Sequence, residues 1–214
     1  MTRFHGFFQF CSRTAGVFLL AAGLAHASVV QYDNLPDFTA AMDPNSAVES
    51  FDGLAADAFA TSPLTFNPGV FSFSASSAEF YNSEVAPGDV VLSTTNPGDT
   101  IVFNILNLFT YAIGGYFWNT DIDFNPVPGT IALGLNDGTT VSLASGGAST
   151  FYGFVSDTPI LSLSVTPAAG GYATVNNVYV AGSPAGVPEP GTAFAMISGL
   201  AALAFAGRRR LARR

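Results

Sequence analysis

From Ser28 onward the chain is divided into short β-favouring runs by Gly, Pro, Asn and Asp, and no amphipathic helix separates one run from the next. That pattern excludes a parallel α/β fold, whose strands need helical crossovers, and leaves antiparallel sheets. About nine or ten short strands are expected. Among them are Ser28 to Tyr32, Val48 to Phe51, Gly69 to Ser74, Thr100 to Ile105, Tyr111 to Trp118 and Thr174 to Val180. Thr130 to Leu135 and Thr139 to Leu143 form the clearest hairpin, because Asp137-Gly138 supplies the positive φ values a tight turn needs. Leu35 to Met42, capped by Asn34, is the one expected helix. The body is therefore expected to be all-β, a single antiparallel β-sandwich or jelly-roll-like domain over 28–180. Its inter-sheet space is filled by phenylalanine, of which the chain has 20.

The same stretch is chemically sparse. All seven arginines lie at the two ends, lysine is absent, and His5, Cys11 and His26 precede Ser28. Of the 15 acidic residues only Glu189 lies outside the body, which leaves 14 acids and no basic side chain between Ser28 and Gly186. A body so composed has no His or Lys general base, no Cys nucleophile, no Ser-His-Asp triad and no Cys/His zinc site. It forms no disulfide and has nothing to neutralise nucleic-acid phosphates. Carboxylate chemistry alone survives, so a two-carboxylate glycosidase is the only enzymatic reading left.

With no salt-bridge partners for the acids, no cofactor is expected apart from a counter-ion, and oxygen-ligated Ca²⁺ is the metal the charge favours. Glu49, Asp52 and Asn176 are candidate ligands if the first and last strands meet. Trp118, Tyr116 and Tyr152 are candidates for stacking on sugar rings, with Asp121 and Asp123 accepting hydroxyl hydrogen bonds. The competing role for those rings is core packing.

Both ends read as targeting segments. Arg3 and Arg13 make a positive region, Ala15 to Ala25 an apolar one, and Ala25-His26-Ala27 a small-x-small cleavage site. Residues 1–27 are thus an expected signal peptide, with the mature chain starting at Ser28. Cys11 lies before the apolar region, so it is not a lipoprotein cysteine. At the other end, a Gly/Pro/Ser linker, 181–186, leads to Val187-Pro188-Glu189-Pro190. The two prolines keep Glu189 extended and accessible. Gly191 to Gly207 is an apolar run of 17 residues, the short end of what spans a bilayer as a helix. Arg208, Arg209, Arg210, Arg213 and Arg214 follow and would stay on the cytoplasmic side.

Motif, span and arginines in that order, over Val187 to Arg214, resemble the PEP-CTERM sorting signal of exopolysaccharide-producing Gram-negative bacteria. The resemblance implies that a membrane enzyme, exosortase, recognises Pro188, Glu189 and Pro190, removes the tail and passes the protein toward the surface. It also implies export through the inner membrane, a transient C-terminal anchor there, and then a cell-surface or extracellular location beside exopolysaccharide. The body is similar to the β-sandwich ectodomains common among such proteins. The similarity rests on Leu35-Pro36-Asp37-Phe38, Ser50-Phe51-Asp52-Gly53-Leu54, the Asn136-Asp137-Gly138 hairpin, Phe151 to Asp157 and Val175-Asn176-Asn177-Val178. The last of these resembles the closing strand of galactose-binding-like jelly rolls, with Asn176 where an acid often stands beside a structural Ca²⁺. The leading expectation is a non-enzymatic surface or matrix protein. A carbohydrate-binding module, with Ca²⁺ as an optional stabiliser, ranks second and a carboxylate glycosidase third.

Overall fold

Alternation along the strands decides the architecture. On one strand Ile101, Phe103 and Ile105 are buried while Val102 and Asn104 are not, so one face needs a partner layer. The computed structural model describes residues 28–148 and 150–182, and these supply both layers. The elements run β1 (Val29–Tyr32), α1 (Leu35–Ala41), β2 (Ser46–Glu49), β3 (Ala58–Ala60), β4 (Leu64–Phe66), β5 (Phe73–Ser76), β6 (Phe80–Ala86) and β7 (Asp89–Thr94). They continue with β8 (Ile101–Ile105), β9 (Ala112–Thr120), β10 (Pro126–Val127), β11 (Gly129–Leu135), β12 (Thr140–Ser145), β13 (Phe151–Ser156), β14 (Ser162–Thr166) and β15 (Tyr172–Ala181). The larger sheet has the order β1-β13-β9-β15-β7-β6-β3, with β10 added to β9 and β2 to β15. The smaller has the order β12-β11-β14-β8-β5-β4. The fold is an all-β, antiparallel, sandwich-like arrangement.

The main core lies between the sheets. Phe73, Phe103, Ile131 and Leu163 come from the smaller sheet, and Leu92, Phe117, Phe154 and Val175 from the larger; all are fully buried. Burying each such side chain stabilises the fold by about 1.5–3 kcal/mol. A second cluster sits on the outer face of the larger sheet, where α1 lays Phe38 against Phe151 and Ala112. The helix begins where Asn34 Oδ1 accepts the Asp37 N–H at 2.9 Å. It stops at Met42, because Asp43 precedes Pro44 and is steered out of the helical region.

β15 contains the most informative irregularity. Ala173 and Val175 point into the core, and so do Val178 and Val180, which breaks the two-residue period. The pairing explains it: Asn176 faces Tyr116 and Tyr179 faces Gly114, so Asn177 and Val178 together oppose Gly115. Asn177 takes the left-handed φ of 48°, which Asn tolerates better than most residues. Gly115 is needed opposite it, since a Cβ there would sit 3.2 Å from the Asn177 carbonyl oxygen. The Val-Asn-Asn-Val segment is thus a bulge that resets the core register of the longest strand.

Several expectations change. The described residues hold fifteen strands, not nine or ten. β3, β4 and β10 are two or three residues long, too short for alternation to show. β6 is masked in sequence because its second half, Glu84 to Ala86, is exposed. The run Val48 to Phe51 ends as a strand at Glu49, and Phe51 turns away with φ 66°. Ala181 closes β15, fully buried, so it belongs to the sheet and not to the linker. The expected signal peptide, Ala25 and Ala27 included, lies outside the described residues, as do the expected transmembrane span, the Val187 to Pro190 motif and the arginine tail. Among the described residues no helix is long and apolar enough to cross a membrane.

Candidate functional site: an aromatic cleft beside the Asp121 loop

β9 carries alternate side chains to opposite faces of the larger sheet, and this separates the residues the sequence brought together. Phe117 enters the core; Tyr116 joins the outer Phe38 cluster, edge-on to Phe151 with centroids 5.5 Å apart. Trp118 is 1 % exposed, so neither ring face is free for a sugar. Tyr152 belongs to the inter-sheet core, and its hydroxyl donates to Gln31 Oε1 at 2.7 Å. Burial, with a smaller contribution from Asp33, pushes that phenol above its ordinary pKa of 10.0. Tyr116, Trp118 and Tyr152 therefore form no common platform.

The candidate metal ligands are also engaged separately. β2 does pair with β15, with Glu49 opposite Val178. Glu49 Oε1, however, accepts the Phe51 N–H at 3.0 Å, and Asp52 Oδ1 accepts the Val90 N–H at 3.1 Å. Asn176 donates Nδ2 to Asp89 at 2.8 Å and accepts the Asn177 N–H at 2.8 Å. These contacts hold the bulge and the β6–β7 region together. Among the described residues no group of three His, Cys, Asp or Glu side chains is placed to hold a metal ion.

What the fold does assemble is a cleft on the outer face of the larger sheet. It forms around the loop that joins β9 to β10. Asp121 nucleates that loop: its Oδ1 accepts the backbone N–H groups of Asp123 and Asn125, each at 2.9 Å. The Asn125 amide also donates to the same carboxylate. The Asn125 N–H bond is the main cause holding the Asp121 carboxyl below its usual 3.8; burial opposes it, and the Asn125 side chain and Asp123 N–H add to it. The loop forces Phe124 to φ 61°, a conformation an aromatic residue rarely adopts. In that pose its ring stacks on Tyr81, centroids 4.6 Å apart and 12° between planes. Phe59, opposite Tyr81 on β3, meets the same ring edge-on at 5.2 Å.

Two cavities share Phe124 as a wall. One, about 420 Å³, is lined by Phe59, Tyr81, Ile122, Phe124 and Tyr172, with Thr94 and Thr95 at its base. Phe59 is 69 % exposed there and Ile122 71 %. The other, about 360 Å³, is more polar, with Ser83, Glu84, Asp123 and Asn125 beside Trp118. The Trp118 Nε1–H is buried and has no hydrogen-bond partner. So the structure does bring Trp118 and Asp123 to one cavity, whereas the Asp121 carboxylate is spent on its own loop. Phe59, Tyr81 and Phe124 are not anticipated from sequence. The legible sign of them is Asp121-Ile122-Asp123-Phe124-Asn125, where two large apolar residues alternate with turn-forming polar ones.

Comparison with known proteins adds the identity of the tail. Residues 186–210 match the PEP-CTERM protein-sorting motif. The chain therefore carries the recognition signal of exosortase, the mark of a protein secreted and sorted to the surface. A search of the curated proteins matches none. Among solved structures the chain is similar to an exo-β-1,3-galactanase from Phanerochaete chrysosporium with galactose, at 18 % identity and a TM-score of 0.30, over 56 % of this chain and 29 % of that one. It is similar to the Agl-KA catalytic domain, at 14 % identity and 0.36, over 70 % and 30 %. A family two carbohydrate esterase from Cellvibrio japonicus matches at 11 % identity and 0.30, over 75 % and 36 %. The chain spans about a third of the length of those proteins.

Proposed function

We propose that this is a non-enzymatic protein of the cell surface or extracellular matrix, associated with exopolysaccharide. The sorting motif at residues 186–210 carries the reading. The body supports it: between Ser28 and Gly186 there is no histidine, lysine, arginine or cysteine, which leaves carboxylates as the only charged groups for catalysis. Signal peptidase removes 1–27, exosortase acts at the Pro188-Glu189-Pro190 segment, and the 28–181 body is released from the inner-membrane anchor. The test replaces Pro188, Glu189 and Pro190 with alanine in the host. The variant should accumulate in the inner membrane while the natural chain reaches the surface. Identical distributions would sink the sorting role, and release of sugar from host polysaccharide by the purified protein would sink the non-enzymatic one.

A further inference from the structure

We infer that the two cavities flanking Phe124 form one binding site for an uncharged polysaccharide chain. The inference deepens the matrix reading and rests on it for the source of the polymer. Each part of the cleft matches one feature of a neutral sugar. The larger cavity is lined by the rings of Phe59, Tyr81 and Phe124; Tyr81 and Phe124 each cover one face of the other, and Phe59, 69 % exposed, leaves the most ring surface for the apolar C–H face of a pyranose. The smaller cavity is lined by Glu84, whose Oε1 already accepts the Gly88 N–H at 2.7 Å, by Asp123, and by Trp118, whose buried Nε1–H the protein leaves unpaired. A buried donor without a partner is costly, and a hydroxyl that displaces enough of the loop to reach it would accept from the indole and donate to a carboxylate.

Charge narrows the ligand further. With carboxylates at the site and no basic side chain between Ser28 and Gly186, an anionic polymer meets only repulsion. A cationic one would be attracted through exposed Glu84 and Asp123, but that attraction is screened by salt and makes no use of the rings. The volumes, about 420 and 360 Å³, are each in the range of small-ligand sites, and Phe124 divides them. Two subsites separated by a ring suit consecutive units of a chain better than a single free sugar. The Asp121 hydrogen bonds fix the loop before any ligand arrives, so little ordering is left to oppose binding.

The test uses the full chain in a detergent without a sugar headgroup, so it does not depend on sorting. The probes are dextran, laminarin, a galactan and hydroxyethylcellulose, with alginate and chitosan as anionic and cationic controls. Gel retardation reads affinity, and Trp118, the only tryptophan in the chain, reports occupancy by its emission. At least one uncharged polymer should retard the protein, shift that emission and do so equally in about 0.5 M NaCl. Phe59→Ala removes an exposed ring, and Phe124→Gly removes the other while accepting the positive φ; each should weaken binding about fivefold or more. Trp118→Phe keeps an aromatic body, deletes the N–H, and should also weaken retardation. The inference is overturned if no uncharged polymer binds, if Phe59→Ala and Phe124→Gly bind unchanged, or if only chitosan binds and salt abolishes it. A chain that binds glucan yet stays in the inner membrane would refute the matrix reading and leave this site standing.

Discussion

Gly153 sits directly under the Phe38 ring, and adding one methyl group there tests how α1 is held. A Cβ on Gly153 would lie 2.5 Å from Phe38 Cδ2, 2.7 Å from Cε2 and 3.0 Å from Cγ. The ring has little room to retreat, since Phe151 lies 5.4 Å away on one side and Tyr32 6.0 Å on another. Overpacking of this kind costs about 1–3 kcal/mol. For a domain of this size that lowers Tm by about 3–10 °C. Phe38→Ala alone should cost about 3–5 kcal/mol, because a fully buried ring is lost. In the Phe38→Ala background, however, Gly153→Ala meets no ring and should be neutral or slightly stabilising, so the two changes are coupled by about 1.5 kcal/mol or more. Urea unfolding followed by circular dichroism measures all four corners of the cycle. Gly146→Ala serves as control, since a Cβ there meets nothing within 4 Å. Additivity within about 0.5 kcal/mol would refute the claim that Phe38 packs on Gly153 to seat the helix.

Four further outcomes follow from the same contacts. Self-repulsion among 14 unpaired acids should make the thermal midpoint rise with NaCl, and because Glu49, Asp52 and Asn176 are engaged separately, CaCl₂ at matched ionic strength should do no more; a larger Ca²⁺ shift would reveal a site. Asp121 has a lowered folded pKa, so its contribution is present above the unfolded value near 3.8 and is lost as pH falls through the folded one; acid should therefore change Trp118 emission below pH 3.8, and Asp121→Asn should show the loosened signal already at neutral pH. Tyr152→Phe leaves Gln31 Oε1 without its 2.7 Å donor and should cost about 1 kcal/mol, read by urea midpoint. Asn34→Ala removes the cap of α1 and should also cost about 1 kcal/mol, with amide exchange rising in Leu35–Ala41 but not in β9.

The sequence makes the architecture legible wherever a rule acts locally. Asn34 caps α1, Gly138 takes φ 91° in the Asn136-Asp137-Gly138 hairpin, and the alternation of Ile101, Phe103 and Ile105 marks a one-sided strand. It is silent where the signal depends on distant partners. β3 has three residues and becomes a strand only because β6 offers Asn82 to Phe80 as a template. The aromatic candidates show the same limit. Tyr116 and Trp118 share the outer face of β9, but α1 and the Asp121 loop cover it, while Tyr152 faces the other way. The cleft itself joins residues from β3, β6, β7, the β9–β10 loop and β15, five places no local pattern connects. The Val-Asn-Asn-Val segment shows how one motif supports two readings. In sequence it resembles a ligand-bearing closing strand; in the fold its polar atoms are consumed by a bulge that keeps Val178 and Val180 in the core.

Processing at both ends is the central claim, and the intact mass of the protein recovered from its host, fraction by fraction, tests it most directly. A surface fraction holding a chain that starts at Ser28 and ends between Pro188 and Gly191, with any excess mass marking an attached group, is the predicted result. A chain that still reaches Arg214 and is confined to the inner membrane would contradict it.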